Sequence, residues 1–153
     1  MKDKRKLSLW ERYLTKEIGI EFKACLYFFA FLFYYCMYRV INGVYDAGIL
    51  HMTELIFCCY IIGYVQVYIL WNFDEADRLG AKEIAGMMIC ALVYCAVSWV
   101  FRWFDRRPVV TVLFGVYILI TYLCVYLIYR SKRRIDDKKL NEDLRLFQTE
   151  HKK

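Results

Sequence analysis

The sequence predicts an all-α polytopic membrane protein: a bundle of four transmembrane helices with amphipathic cytoplasmic helices at both ends. Three observations predict it. Of the 153 residues, 60% are hydrophobic and 19% aromatic, far above a soluble domain, whereas the 25% charged share is ordinary for one. The two shares coexist because the charges cluster away from the apolar residues, which fall into four runs of about 20, the length a helix needs to span a bilayer. Nor do these runs alternate apolar and polar residues as the strands of a membrane barrel would. With one proline and seven glycines, collagen-like, linker-rich and disordered chains are excluded. The length suits a single membrane domain.

The chain opens with a charged lead, residues 1–23. Within LSLWERYLTKEIGIEFK, Leu7, Trp10, Leu14 and Ile18 recur at helical spacing, while Glu11, Arg12, Lys16 and Glu17 fall mostly off that stripe. An amphipathic helix is predicted, with its Trp and Tyr in the headgroup region; docking on a partner is the alternative. The long charged lead, with no A-x-A pattern after the first apolar run, argues against a cleaved secretory signal. The first span covers residues 24–44 and is interrupted by Arg39 and Asn42. The second, residues 51–71, carries Glu54 and Gln66, and the third, residues 84–104, carries Arg102 near its end. The fourth, residues 109–129, holds no charge. Each would be about 31 Å long as a helix, the thickness of the hydrocarbon core. The tail, residues 130–153, should continue the fourth helix and project from the membrane. Leu140, Leu144 and Phe147 share one of its faces, a stripe too short for a coiled coil.

Orientation follows from lysine and arginine. The lead holds seven, the middle loop two (Arg78 and Lys82) and the tail nine, against four on the other side: Arg39, Arg102, Arg106 and Arg107. Both termini and the middle loop are therefore expected in the cytoplasm, with the protein in the cell (inner or plasma) membrane. The net charge of +6 belongs mainly to the two tails. They should meet anionic lipid headgroups; no aromatic-interleaved basic strand points to nucleic acid. The external turns are too short for a ligand-binding domain.

Two groups of polar residues stand out. Arg39, His51, Glu54, Arg102 and Asp105 share one depth in the outer third of the spans, where charge is costly without partners. The expectation is an Arg39–Glu54 ion pair with Arg102 and Asp105 nearby, stapling the helices while the arginines snorkel. The functional alternative is a small anionic or lipid-headgroup site, or a proton-sensing pair through His51. In the middle loop, NFDEADRLGAKE, Asp74, Glu75 and Asp77 crowd together before Arg78. They read as solvated charge offered to a partner, or as a clamp onto the basic tails.

Catalytic and cofactor chemistry finds no foothold. No Ser-His-Asp order, HExxH or P-loop occurs, so no enzymatic activity is expected. All seven cysteines lie within spans without a CxxC and read as small apolar fillers. His51 and His151, the only two histidines, leave metal and haem without ligands. Ala91, Cys95 and Ser98 give the third span a small-residue face suited to close packing in the bundle, or between copies in a homo-oligomer. Together these readings point to a membrane regulator acting through protein contacts, offering residues 74–78 and the face of Leu140, Leu144 and Phe147. An accessory subunit of a membrane transport complex and a small homo-oligomeric channel are the alternatives.

The layout also resembles an uncharacterised bacterial family of four-span membrane proteins, a domain of unknown function whose members often accompany LytTR-type DNA-binding regulators. The likeness rests on the amphipathic lead (LSLWERYLTKEIGIEFK), the acidic loop after the second span (WNFDEADRLG) and the basic helix after the last (RSKRRIDDKKLNEDL). It covers nearly the whole chain as layout. The outer charge cluster and the long tail have no counterpart in that pattern. The resemblance implies an inhibitor or accessory of a cytoplasmic transcription regulator and supplies no catalytic residues.

Overall fold

The computed structural model of the chain describes residues 9–150; Leu7 of the predicted lead stripe and His151 lie outside them. The order is α1 (Leu9–Ile41), α2 (Ile49–Tyr68), a short 3-10 turn (Phe73–Glu75), α3 (Ala81–Val100) and α4 (Pro108–Glu150). All four α-helices are long and apolar enough to cross a membrane, and no strand occurs among the described residues. The fold is the predicted all-α four-helix bundle. Helices α1 and α2 form one hairpin and α3 and α4 the other; α1 against α4 and α2 against α3 join the two.

Several boundaries differ from the apolar runs. The lead and first span are one 33-residue helix, about 50 Å long. A helix continuous with a span cannot lie in the membrane plane as a separate element. Trp10, Leu14 and Ile18 are accordingly exposed along α1, off the bundle core. Helix α2 stops at Tyr68 although apolar residues continue. There Leu70 N–H reaches back to Val65 O (3.0 Å) and Asn72 N–H to Gln66 O (2.9 Å), with Trp71 and Asn72 both left-handed (φ 55° and 52°). Helix α3 starts where Glu83 accepts a hydrogen bond from Gly80 N–H (2.9 Å). It ends before Arg102, which takes the left-handed position (φ 58°) while Trp103 N–H bonds to Ser98 O (3.1 Å). Glycine usually fills this place in such a helix stop. Arg102 thus belongs to a turn, not to the third span.

The core is a set of helical stripes. Helix α1 contributes Ile20, Ala24, Tyr27, Phe31, Tyr35 and Tyr38, spaced three or four apart, and α4 contributes Phe114, Ile118, Tyr122 and Val125. Their rings meet edge to face: Phe31 on Tyr94 (4.8 Å between centroids) and on Phe114 (5.6 Å), and Tyr27 on Tyr122 (4.8 Å). Lipid is as apolar as these side chains, so such contacts stabilise the bundle by close packing more than by leaving water. Two glycines allow close approaches inside the bundle. A Cβ at Gly115 would stand 2.9 Å from Cys95 Sγ, and one at Gly86 would stand 2.8 Å from the Phe73 ring. Gly86→Ala should therefore force Phe73 aside and destabilise the bundle by about 1–3 kcal/mol, as overpacking does; thermal unfolding in detergent measures it.

Candidate functional site

The densest polar arrangement lies at the end of the bundle from which α1 and α4 extend. It is assembled from three elements. On α1, Lys23 falls on the buried stripe, between Ile20 and Tyr27, instead of facing outward. Its side chain is 1% exposed and the Asp74 side chain 0%. The left-handed turn at Trp71 and Asn72 swings the connection between α2 and α3 back beneath the bundle, and the 3-10 turn then delivers Asp74 to Lys23.

An ammonium group has three donors, and the connection supplies three acceptors. Lys23 Nζ meets Asp74 Oδ1 at 2.7 Å, Glu75 Oε1 at 2.9 Å and the Asn72 side-chain oxygen. The other carboxylate oxygen of Asp74 accepts from the Tyr27 hydroxyl (2.7 Å). Lys23 also lies over the Tyr129 ring of α4, 5.6 Å from its centroid. One turn further along α4, Arg133 bonds to the Glu75 carbonyl and pairs with Asp77. The connection is therefore stitched to both long helices. Phe73 anchors it from within: fully buried against Gly86 of α3, with its ring 5.0 Å from that of Tyr122 on α4.

A buried ion pair is tolerated only when further hydrogen bonds satisfy its remaining donors and acceptors. This one meets that condition. Gln66 of α2 and Tyr122 of α4 are the local exceptions. Both are fully buried, yet neither the amide of Gln66 nor the hydroxyl of Tyr122 has a hydrogen-bond partner among the described residues.

Of the two predicted readings for the loop, the clamp is the one with the right contacts. Asp74 is interior, not solvated charge on display. Glu75 is shared between Lys23 and solvent, and Asp77 is exposed while paired with Arg133. Arg78 is exposed and makes no ion pair among the described residues. Leu140, Leu144 and Phe147 are exposed on the part of α4 that runs beyond the bundle. Sequence reasoning missed Lys23, Tyr27 and Asn72. A signal was present: stepping back from Tyr38, Tyr35, Phe31 and Tyr27 by three or four residues reaches Lys23 and Ile20.

At the opposite end the predicted charge cluster is split. The expected Arg39–Glu54 pair is absent. Arg39 instead pairs with Asp46 in the α1–α2 turn (3.7 Å) and donates to its carbonyl (3.3 Å). Glu54 is turned to the other side, where one oxygen accepts from His51 Nδ1 (3.0 Å) and Trp103 Nε1 (3.0 Å). Asp105 accepts from the Tyr38 hydroxyl (2.9 Å). Arg102 is exposed with no ion pair among the described residues. These polar groups staple α1, α2 and the α3–α4 turn in separate contacts, not as one site. Among the described residues no group of three His, Cys, Asp or Glu side chains is placed to hold a metal ion.

No family model, curated protein or solved structure matches the chain.

Proposed function

We propose that the chain is a non-enzymatic integral membrane regulator that holds a cytoplasmic partner on the projecting end of α4. The observation that carries this reading is the exposure of Leu140 (59%) and Leu144 (50%) on a helix that leaves the bundle. Twenty residues past Arg130 amount to about 30 Å of helix, far enough to stand clear of the headgroups. The root of that helix is tied down by Arg133 and Tyr129, so the apolar face is presented in a set direction. The lysine and arginine distribution favours the cytoplasmic side of the cell membrane for this end, where the basic residues would also meet anionic lipid. Because Asp74 and Glu75 are engaged by Lys23, the partner surface narrows to Arg78 and the tail. The partner that the family resemblance implies is a DNA-binding regulator of the LytTR type.

Affinity capture with the intact chain in mild detergent tests this. A cytoplasmic regulator should be retained, should rebind when purified, and should be lost on truncation after Arg134. The full-length double substitution Leu140→Asp, Leu144→Asp should weaken retention at least about tenfold, as removal of two central apolar contacts does. Recovery of the chain alone, or of an ATPase and permease, would overturn the regulator reading. The first outcome would favour self-association and the second an accessory role in transport.

A further inference from the structure

We infer that the groove between α1 and α4, at the end of the bundle opposite the Lys23 cluster, is a binding site for one phospholipid, held through its phosphodiester. The groove encloses about 520 Å³, and its apolar wall is formed by Met37, Ile41, Val110, Leu113, Val116 and Ile120. Its three tyrosines present no free hydroxyl to that wall. Tyr34 donates to Val110 O (3.0 Å), Tyr117 to Ala30 O (3.0 Å) and Tyr38 to Asp105 (2.9 Å). With its polar atoms satisfied inside the bundle, the surface left to the groove is suited to hydrocarbon. From Val110 to Ile120 the wall runs about 15 Å along α4. That is half of a hydrocarbon core of about 30 Å, the depth that one leaflet's acyl chain occupies.

The polar end of the groove is suited to an anionic oxygen group. Arg107 lies at its mouth, held by one hydrogen bond to Asn42 Oδ1 (2.9 Å) and by stacking 6.0 Å above the Tyr38 ring. A guanidinium has five N–H donors, and no carboxylate pairs with this one among the described residues. Arg102 and Arg106, in the same turn, are exposed and likewise without ion pairs there. The carboxylate of the same turn, Asp105, is occupied by Tyr38. A phosphodiester fits this arrangement: its anionic oxygens take the spare guanidinium donors while the attached chain descends the groove. The site is independent of the docking role of α4, which lies at the other end of the molecule.

The intact chain is exchanged into mixed micelles holding equimolar phosphatidylglycerol and diacylglycerol with identical acyl chains, so that the two differ by the phosphate-bearing headgroup. Retained lipid is then quantified by mass spectrometry. The exchange is run at about 1 M salt, where a Debye length of about 3 Å suppresses the attraction of the basic tails for any anion. Phosphatidylglycerol should be retained about tenfold over diacylglycerol, the effect of one charge-assisted contact. Arg107→Gln should abolish the preference. Leu113→Trp, which fills the groove and leaves every charge in place, should lower retention of both lipids and decides the matter if Arg107→Gln does not fold. Equal retention of the two lipids by the unaltered chain would overturn the inference, as would a preference that survives Arg107→Gln or retention that Leu113→Trp leaves undiminished.

Discussion

Lys23→Met is expected to destabilise the protein by about 3–5 kcal/mol, the cost of leaving one member of a buried ion pair alone. The carboxylate of Asp74 would stay fully buried with the Tyr27 hydroxyl as its sole remaining side-chain donor. The reciprocal change should be milder. In Asp74→Asn, the ammonium keeps Glu75 at 2.9 Å and the Asn72 oxygen, and the new amide still meets Tyr27. About 1–3 kcal/mol is expected there, the range for weakening a charged hydrogen bond. Combining Lys23→Met with Asp74→Leu should recover part of the loss, because replacing both charges with apolar groups removes the uncompensated one. Chemical unfolding of the four proteins in detergent gives the order directly. Asp74→Asn more damaging than Lys23→Met would contradict it.

Phe73→Ala should cost a comparable amount, about 3–5 kcal/mol, as for a fully buried aromatic ring truncated in a packed core. Phe73 is the fully buried apolar side chain of the α2–α3 connection, seated against Gly86 of α3 and Tyr122 of α4, and its loss would open a cavity beside Tyr122. The same geometry predicts coupling to Gly86. Alone, Gly86→Leu drives a side chain into the Phe73 ring and should be severely destabilising. In a Phe73→Ala background it enters the vacated space, so the double variant should be more stable than the sum of the single effects requires. Unfolding midpoints of the two single variants and the double variant measure this, and strict additivity would show that the ring does not seat on Gly86.

Much of the architecture was legible because apolar runs of bilayer length constrain a chain more tightly than any local propensity. The four spans and the extension of the last helix into the tail follow from that alone. Helix ends were less legible. Trp71 and Arg102 fall within the predicted spans, yet both adopt left-handed backbone just past the ends of their helices. Sequence hydropathy carries no information about such a stop when glycine is not the residue that makes it.

Polar partners were legible as residues but not as pairs. The outer charges were read as sharing one depth, but depth does not say which way a helix face points. Arg39 turns toward Asp46 and Glu54 toward His51 and Trp103, so the expected Arg39–Glu54 pair does not form. Lys23 illustrates the converse. As the last basic residue before a span it reads as a headgroup anchor, and only the register of Tyr27, Phe31, Tyr35 and Tyr38 places it inside. The acidic loop was read as display or clamp. Which one holds depends on the reversal at Trp71 and Asn72, a backbone feature without a sequence signature.

The mechanical consequence is that the α2–α3 connection, α1 and the root of α4 form one locked unit, from which the outer part of α4 projects. Amide hydrogen exchange of the intact chain in lipid nanodiscs tests that lock most directly. The amides of Asn72, Glu75 and Ala76 donate to Gln66, Asn72 and Phe73, and the lock predicts that they are protected although they lie in a connection outside the four long helices. Lys23→Met should remove that protection while amides in the middle of α3 keep theirs. Exchange of these three amides in the unaltered protein at the rate of an unstructured peptide would contradict the lock.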